Sequence, residues 1–497
     1  VNLIVLPGCI DTQVHFREPG LENKENLESG MMAAAFGGVT AVFEMPNTNP
    51  LTITPETITD KLTRASRAAW TDYAFYLGGT GKTGPNLTNW ENAPGICGIK
   101  IFMGASTGDL LSASDEEIES VLSHGKRVVA VHAEDQYIME ENKEIILGDS
   151  NDVSLHNEWR SPESCLSATT RLVNIAKKYG RRVHILHITT SEEMDFLRDN
   201  KDIASVELLA NHLTLHAPDC YERLGTHAQQ NPPIRELHHQ EALWKALNDG
   251  TVDILASDHA PHTLEEKALA YPKSPSGTPG VQTLVPIMLN HVNEGKLSLE
   301  KLVELWSYGP ERIHKLVGKG RIAKGYDADF TIIDLNKKKT ITNAQQKALK
   351  TLWPKYGLSH KSNIEANQFF KNGRELNLEI GFGDGKNLTY LAKNNPQNIY
   401  VGIDVYRPGV GRLLIELDRL AIENVKIILG DATDALPAFF EENSISKVMV
   451  YFPDPWPKKR HQKRRLLRPE FLRQIASYLA KRGELCISTD CDDYAED

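Results

Sequence analysis

The sequence predicts an α/β chain in which a closed (β/α)8 barrel is followed by a second, open parallel sheet. Two observations predict the barrel: short β-branched runs alternate with helical stretches from about residue 9 to 320, and polar residues cluster directly after the runs. A third observation predicts the second sheet, because a new strand–helix series with a glycine-rich turn begins near residue 344. The predicted domains are therefore 1–343 and 344–497.

The composition is that of a globular protein with two or three domains. The chain has 497 residues, of which 40% are hydrophobic and 25% are charged, and its formal net charge is −10. Six cysteines without a CxxC pair indicate a reducing compartment, and no apolar run reaches membrane-spanning length. We therefore expect a cytoplasmic protein. Because the chain begins at Val1 with a strand already under way, we also expect residues upstream of it.

The predicted barrel strands are β-branched runs that are followed by polar residues. In chain order they include "VTAVFEM", "GIKIF", "RVVAVHAE", "RVHILHIT", "SVELLA" and "VDILASDHA". Helical stretches such as "LSATTRLVNIAKKYG" separate them, so the strands should run parallel with both faces covered. This many units suits a closed barrel, whose active site forms at the carboxyl ends of the strands. A short return to β structure is predicted at 320–343.

Five potential metal ligands lie at the ends of these strands. Divalent metals at catalytic sites take His nitrogen and carboxylate oxygen ligands, with one position open for water. Each candidate alone is more often a structural residue, but a barrel brings its strand ends together on one axis. A carboxylate at residue 258 can both ligate a metal and accept a proton, which makes it the catalytic candidate. The five are His15, Lys100, His132, His187 and Asp258.

Together these motifs resemble the dihydroorotases of the amidohydrolase superfamily. The matching segments are "DTQVHFREPG", "EMPNT", "GIKIF", "VHAED", "HILHIT", "NPPIR", "ASDHAPH" and "SGTPGVQT". The resemblance implies a TIM barrel that interconverts N-carbamoyl-aspartate and dihydroorotate in pyrimidine biosynthesis. It implies two Zn²⁺ ions bridged by carboxylated Lys100, with Asp258 moving the proton. The implied substrate-binding residues are Arg17, Asn47, Asn231, His262, Pro279 and Gly280.

The departure from this family is Gln13, where most relatives have His. Residues 13 and 15 of a strand point the same way, so Gln13 should still face the metals as a weaker candidate ligand. We predict an active enzyme with an altered metal site. One alternative is a catalytically impaired homologue that acts as a structural partner, for example of aspartate transcarbamoylase, or within a homo-oligomer. Another is a related cyclic amidase, dihydropyrimidinase or allantoinase, although Arg17 suits an acidic substrate.

The second domain carries the glycine-rich segment "EIGFGDG" between a predicted strand and a predicted helix. Glycines there permit a tight turn and close approach of the backbone to a ligand. The feature alone does not separate sites for NAD from sites for S-adenosylmethionine. Asp404 ends the next strand and is the expected ribose partner, and Asp431 ends the third strand.

The block "YFPDPWPKKRHQKRRLL" gives this domain a resemblance to tRNA (guanine-N7)-methyltransferases. The resemblance implies a Rossmann-like class I S-adenosylmethionine-dependent methyltransferase, with Asp454 catalytic and with Lys458 and Asp490 contacting the tRNA guanine. The basic run 458–468, with seven Lys or Arg in eleven positions, is most often a solvated face, and contact with tRNA phosphates is the sharper alternative. The implied cofactor residues are Glu379, Gly381, Gly383, Asp404, Asp431 and Asp454.

Both domains are expected to be incomplete. The first keeps only a remnant of the small β-sandwich of its family, and the second ends at Asp497 before the closing strands of its family. The alternative to methyl transfer is thus a non-catalytic module that binds tRNA or the cofactor. Because pyrimidine synthesis and tRNA methylation share no intermediate, we expect the fusion to be a gene-deletion or assembly product.

Overall fold

The computed structural model describes residues 3–105, 110–146, 151–335, 343–358, 373–453 and 465–489. The chain forms two compact units, Val1–Leu335 and Asn336–Asp497. Three predicted site residues lie outside the described residues: Asp454, Lys458 and Asp490. None of the described helices is long and apolar enough to cross a membrane.

Ten strands form the sheets in the described part of the first unit. They are β1 (Ile4–Pro7), β2 (Cys9–Val14), β3 (Val39–Glu44), β4 (Asp72–Gly78), β5 (Ile96–Phe102), β6 (Val129–His132), β7 (Val183–Ile185), β8 (Ala204–Leu209), β9 (Ile254–Ala256) and β10 (Phe330–Ile333). Strands β2 to β9 are parallel neighbours in sequence order, while β1 pairs antiparallel with β10. The His15 N–H donates to the His259 carbonyl at 2.7 Å, which joins β2 to the segment after β9. The predicted (β/α)8 barrel is therefore confirmed.

Helices cover the outside of the barrel. Their first turns are stabilised by side chains that accept backbone hydrogen bonds, as Asn26, Thr54 and Ser114 do. The helices are α1 (Leu27–Gly37), α2 (Pro55–Ala68), α3 (Leu87–Trp90), α4 (Asp115–Leu122), α5 (Gln136–Ile146), α6 (His156–Trp159), α7 (Pro162–Tyr179), α8 (Ser191–Arg198), α9 (Ala210–Thr214), α10 (Asp219–Leu224), α11 (Leu237–Asp249), α12 (Leu264–Lys267), α13 (Leu284–Asn293), α14 (Leu299–Val303) and α15 (Gly309–His314).

The inside of the barrel is packed with side chains, as is usual for this fold. Ile10, Phe43, Tyr76 and Leu186 form a buried cluster there. A larger apolar cluster lies between the strands and the helices, with the fully buried Trp306 among its members. The packed interior positions the strand ends rigidly, so residues at those ends can be held in fixed mutual geometry.

The second unit is an open parallel sheet with helices on both faces. Its strands are β11 (Leu376–Ile380), β12 (Ile399–Asp404), β13 (Val425–Leu429), β14 (Ile445–Tyr451) and β15 (Leu479–Ser488), in the spatial order β13-β12-β11-β14-β15. The order reverses between β11 and β14, which makes the carboxyl end of β11 the expected ligand crevice. The predicted Rossmann-like sheet is confirmed. Its helices are α16 (Asn343–Thr351), α17 (Trp353–Tyr356), α18 (Lys386–Asn394), α19 (Arg407–Arg419), α20 (Ala432–Phe439) and α21 (Pro469–Tyr478).

Candidate active site

One cleft at the carboxyl end of the barrel brings most of the predicted metal and catalytic residues together. Its empty volume is about 330 Å³. Phe102, Ala260, Ser276 and Gly277 contribute to its wall. The predicted residues that line it are Gln13, His15, Lys100, His132, His187, Asn231 and Asp258.

Backbone geometry at the strand ends aims several of these side chains. His187 and Asp258 each lie two residues after a strand, and their φ angles are 38° and 46°. Arg17, which follows the same strand as His15, has a φ of 63°. Residues other than glycine rarely adopt this left-handed region, and each such residue costs on the order of 1–3 kcal/mol. Backbone strain of this kind is typical of functional sites, where packing holds it in place.

One side of the cleft is a pair of histidines that face each other. His132 Nδ1 lies 3.0 Å from His187 Nε2, while His132 Nε2 lies 2.7 Å from Glu134 Oε2. The Glu134 carboxylate can only accept, so His132 carries its proton on Nε2 and leaves the Nδ1 lone pair toward His187. These two nitrogens lie within hydrogen-bond distance of each other, and a pair of imidazole nitrogens this close is a donor set suited to a divalent metal.

The other side is centred on the Asp258 carboxylate. His15 Nε2 lies 3.1 Å from Asp258 Oδ1, and His15 Nδ1 lies 2.7 Å from Asn47 Oδ1. Both ring nitrogens therefore face acceptor oxygens. A neutral imidazole has one N–H, so it can donate a hydrogen bond to only one of them. A cation at Nε2 would resolve this conflict, with Nδ1–H donating to Asn47.

Lys100 lies in the cleft wall without a hydrogen-bond partner among the described residues. Its side chain is buried, and Nζ lies 4.5 Å from the centre of the Phe102 ring. Burial lowers the pKa of Lys100 to about 7. A buried amine of this kind fits a lysine that gains an anionic oxygen group by carboxylation.

The protonation states in the cleft fit metal binding and proton transfer. Burial lowers the pKa of His15, His132 and His187, so their rings are neutral at pH 7 and can act as ligands. Burial opposes ionisation of Asp258, but the hydrogen bond from His15 and the nearby His187 and Lys100 outweigh it and lower the carboxyl pKa. Asp258 is therefore ionised and able to accept a proton.

The predicted substrate residues form a second group beside the cleft. Arg17 is buried, its Nε donates to the Pro261 carbonyl at 3.1 Å, and its Nη2 lies 3.3 Å from His262 Nε2. No carboxylate of the described residues lies within 4.0 Å of the Arg17 guanidinium. Burial lowers the Arg17 pKa only to about 10, so a buried cation without an ion-pair partner remains available to an anionic ligand.

The other predicted substrate residues differ in position. Asn47 contacts His15 rather than lining the cleft. The Gly280 N–H donates to His259 Nδ1 at 2.9 Å, and Pro279 is exposed. Asn231 lines the cleft, and its Oδ1 accepts from His156 Nε2 at 2.9 Å. Within the predicted substrate set, only Asn231 therefore faces the cleft directly.

Several residues that the sequence did not single out support the cleft. Glu134 is completely buried and is bonded by Arg160, whose Nε lies 3.0 Å from Oε1. His156 is also completely buried, and burial lowers its pKa to about 3. The position of Glu134, two residues after a predicted ligand within "VHAED", was the available signal, because such residues often orient a metal-binding histidine. No sequence signal linked residue 156 to residue 231.

A cluster of carboxylates elsewhere in this unit is bridged by a lysine. Asp72, Asp327 and Asp329 converge near the amino end of β4, the opposite end of the barrel from the cleft. Lys319 Nζ lies within 2.9 Å of a carboxylate oxygen of each. The cluster is thus an ion-pair network at the end of the barrel where active sites are not built.

In the second unit, the glycine-rich segment forms a turn at the carboxyl end of β11. Gly381, Gly383 and Gly385 have φ angles of 74°, 56° and 72°, a region that favours glycine. The Gly383 N–H donates to Asp404 Oδ2 at 2.7 Å, and the Tyr406 N–H donates to Asp404 Oδ1 at 2.8 Å. Asp404 thereby fixes the turn at the predicted ligand crevice.

The two other described acids of the cofactor set have different surroundings. Glu379 is buried at the end of β11, where Asn387 Nδ2 donates to its Oε2 at 3.2 Å. Burial raises the Glu379 pKa to about 7. Asp431 is exposed and caps α20 by accepting from the Thr433 N–H at 2.8 Å. Glu379, Asp404 and the turn are adjacent, and Asp431 follows the strand at the sheet edge.

Comparison with known protein families assigns both units. Residues 4–387 match the amidohydrolase family, and residues 373–497 match a family described as putative methyltransferase. In the overlap, residues 373–387 contain β11 and belong to the second unit of the structure. The resemblances of the two parts to an amidohydrolase and to a methyltransferase are thus confirmed.

Individual relatives support the first of these two assignments. The chain is 38% identical over 346 residues to the dihydroorotase of Methanosarcina mazei, covering 67% of this chain and 75% of the relative. It is 36% identical over 333 residues to that of Halobacterium salinarum, covering 66% and 76%. Among solved structures, it is similar to the L-hydantoinase (dihydropyrimidinase) from Arthrobacter aurescens, with a TM-score of 0.63 and 29% identity over 66% of this chain and 75% of that chain. The chain is also similar to the dihydropyrimidinase from Brevibacillus agri, with a TM-score of 0.61 and 27% identity over the same shares of the two chains.

Proposed function

The chain belongs to the amidohydrolase family over most of its length, and on this premise we propose that its first unit is a zinc-dependent dihydroorotase. The observation that carries the proposal is the convergence of imidazole, lysine and carboxylate side chains in one cleft at the carboxyl end of the barrel. The residues that would hold two zinc ions are His15, Lys100 as a carbamate, His132, His187 and Asp258, with Gln13 beside them.

Different side chains of the cleft would transfer the proton and orient the metal ligands. Bound zinc supplies Lewis-acid polarisation of the amide carbonyl and lowers the pKa of water. The ionised Asp258 carboxylate accepts the proton of the attacking water and returns it to the leaving ring nitrogen. Glu134 holds the proton of His132 on Nε2, and Asn47 holds that of His15 on Nδ1, so each ligand keeps its productive orientation.

Arg17 favours dihydroorotate over neutral cyclic amides. A buried guanidinium can bind the substrate carboxylate bidentately, and His262 orients it from Nη2. Asn231 faces the cleft with its oxygen engaged by His156, so its amide group is free to donate to a substrate oxygen. Dihydropyrimidinase and allantoinase activities remain the alternatives. Arg17 counts against them, since their neutral substrates need no buried cation.

The test is a substrate panel assayed on the zinc-loaded chain. We expect hydrolysis of dihydroorotate to exceed that of dihydrouracil, hydantoin and allantoin. Arg17→Met should raise the KM for dihydroorotate more than tenfold and leave that for dihydrouracil nearly unchanged. Arg198→Met, at a partly exposed helix end, is the matched control. Preference for a neutral amide would favour the alternative cyclic amidases, and metal binding without hydrolysis would favour a structural partner, in a homo-oligomer or with aspartate transcarbamoylase.

For the second unit we propose S-adenosylmethionine-dependent methylation of guanine N7 in tRNA. The supporting observation is the glycine turn fixed by Asp404 at the point where the strand order reverses. Asp404 would bind the ribose of the cofactor, with Glu379 and Asp431 near its other parts. Guanine N7 carries a lone pair, so the chemistry depends mainly on alignment and on charge stabilisation.

This second proposal is tested by transfer of a labelled methyl group from S-adenosylmethionine to tRNA. We expect transfer to guanine N7 and its loss in Asp404→Ala. Binding of cofactor and tRNA without transfer would instead indicate a non-catalytic binding module.

A further inference from the structure

The two sides of the cleft differ in the hydrogen bonds that their potential ligand atoms make. On one side, His132 Nδ1 and His187 Nε2 lie 3.0 Å apart and His132 is oriented by Glu134. On the other side, Gln13 Nε2 and His15 Nε2 lie 3.0 and 3.1 Å from the same oxygen, Asp258 Oδ1. On the first side, the hydrogen bond joins two imidazole nitrogens that can both become ligands. On the second side, Asp258 Oδ1 is also held by the amide nitrogen of Gln13, which cannot become a ligand.

The orientation of the Gln13 amide follows from its partner. A carboxylate only accepts hydrogen bonds, so the amide must turn its NH2 group to Asp258 and its oxygen away. The amide nitrogen has no lone pair to give to a metal. Gln13 Oε1 is buried and has no hydrogen-bond partner among the described residues. The only potential ligand atom of this side chain is thus directed away from Asp258.

We propose that Gln13 makes the cleft an unequal pair of metal sites. One cation binds tightly on the side of His132 and His187, and a second binds weakly on the side of His15 and Asp258. Gln13 acts there as a hydrogen-bond donor to Asp258 that a second cation must displace, and not as a ligand. This inference rests on the proposed metal dependence of the first unit.

The site of His15 and Asp258 should bind its cation much more weakly than the site of His132 and His187. Partners that merely orient a ligand are worth about 10–100-fold in metal affinity. Replacing a histidine ligand by a competing donor should therefore separate the two dissociation constants by at least ~100-fold.

Metal stoichiometry tests this without relying on activity. The full chain is stripped with chelator and titrated with Co²⁺, whose visible absorption reports each site, and zinc content is measured by mass spectrometry after dialysis. We expect one retained equivalent in the wild type and two in Gln13→His. Gln282→His, at an exposed position, controls for an added histidine and should retain one. Gln13→Met, which removes the donor without adding a ligand, should retain one and bind the second Co²⁺ no more weakly than wild type.

The possible results separate this inference from the proposed function. Two equivalents of equal affinity in the wild type, or no gain in Gln13→His with an unchanged unfolding temperature, would overturn the inference alone. Weaker second binding in Gln13→Met would also overturn it, because Gln13 would then be a ligand. A wild type that binds no metal would overturn the proposed function as well.

Discussion

Replacing Glu134 by Gln should weaken both the fold and the metal site of the first unit. Glu134 is completely buried and is bonded by His132 Nε2 at 2.7 Å and by Arg160 Nε at 3.0 Å. Glutamine keeps the volume and an acceptor oxygen, but it leaves the buried Arg160 guanidinium without a counter-charge. Breaking a buried ion pair from one side costs about 3–5 kcal/mol. Loss of a partner that orients a metal ligand lowers metal affinity about 10–100-fold.

The assay combines unfolding with metal titration and uses a second buried glutamate as its control. Glu193 accepts from the hydroxyls of Thr169 and Thr190 at 2.8 Å, and burial raises its pKa to about 7. Its hydrogen-bond partners are neutral hydroxyls rather than a cation. Glu193→Gln should therefore lower the free energy of unfolding by less than ~1 kcal/mol and leave metal binding unchanged. If Glu134→Gln unfolds at the same denaturant concentration as Glu193→Gln and binds zinc as tightly as wild type, the reasoning is refuted.

Two further predictions concern the second unit. Burial raises the Glu379 pKa from 4.5 to about 7, so the folded state holds that proton more tightly than the unfolded state. The stability that results, about 3 kcal/mol, is lost as pH rises from 4.5 through 7. Glu379→Gln should remove this pH dependence from urea unfolding, and parallel profiles for the two proteins would contradict it. A Cβ at Gly409 would lie 2.1 Å from the Gly383 carbonyl oxygen, so Gly409→Ala must displace the glycine turn. We expect at least ~10-fold weaker S-adenosylmethionine binding by calorimetry, and wild-type affinity would show that the turn takes no part in binding.

The sequence by itself determined both folds and most of the candidate ligands. Alternating runs and a glycine-rich turn are local patterns, and parallel strands place their carboxyl ends together whatever the details of packing. For that reason His15, Lys100, His132, His187 and Asp258 could be predicted as one group, and the cleft contains all of them.

Only the tertiary structure decided how those groups are paired. The bond from Gln13 to Asp258 joins residues 245 apart in the chain, and that from His156 to Asn231 joins residues 75 apart. The direction of an amide or the proton of an imidazole depends on what lies opposite in space. Periodicity and motif spacing carry no information about such partners. The sequence could therefore predict Gln13 only as a weaker metal ligand, whereas in the structure its amide donates a hydrogen bond to Asp258.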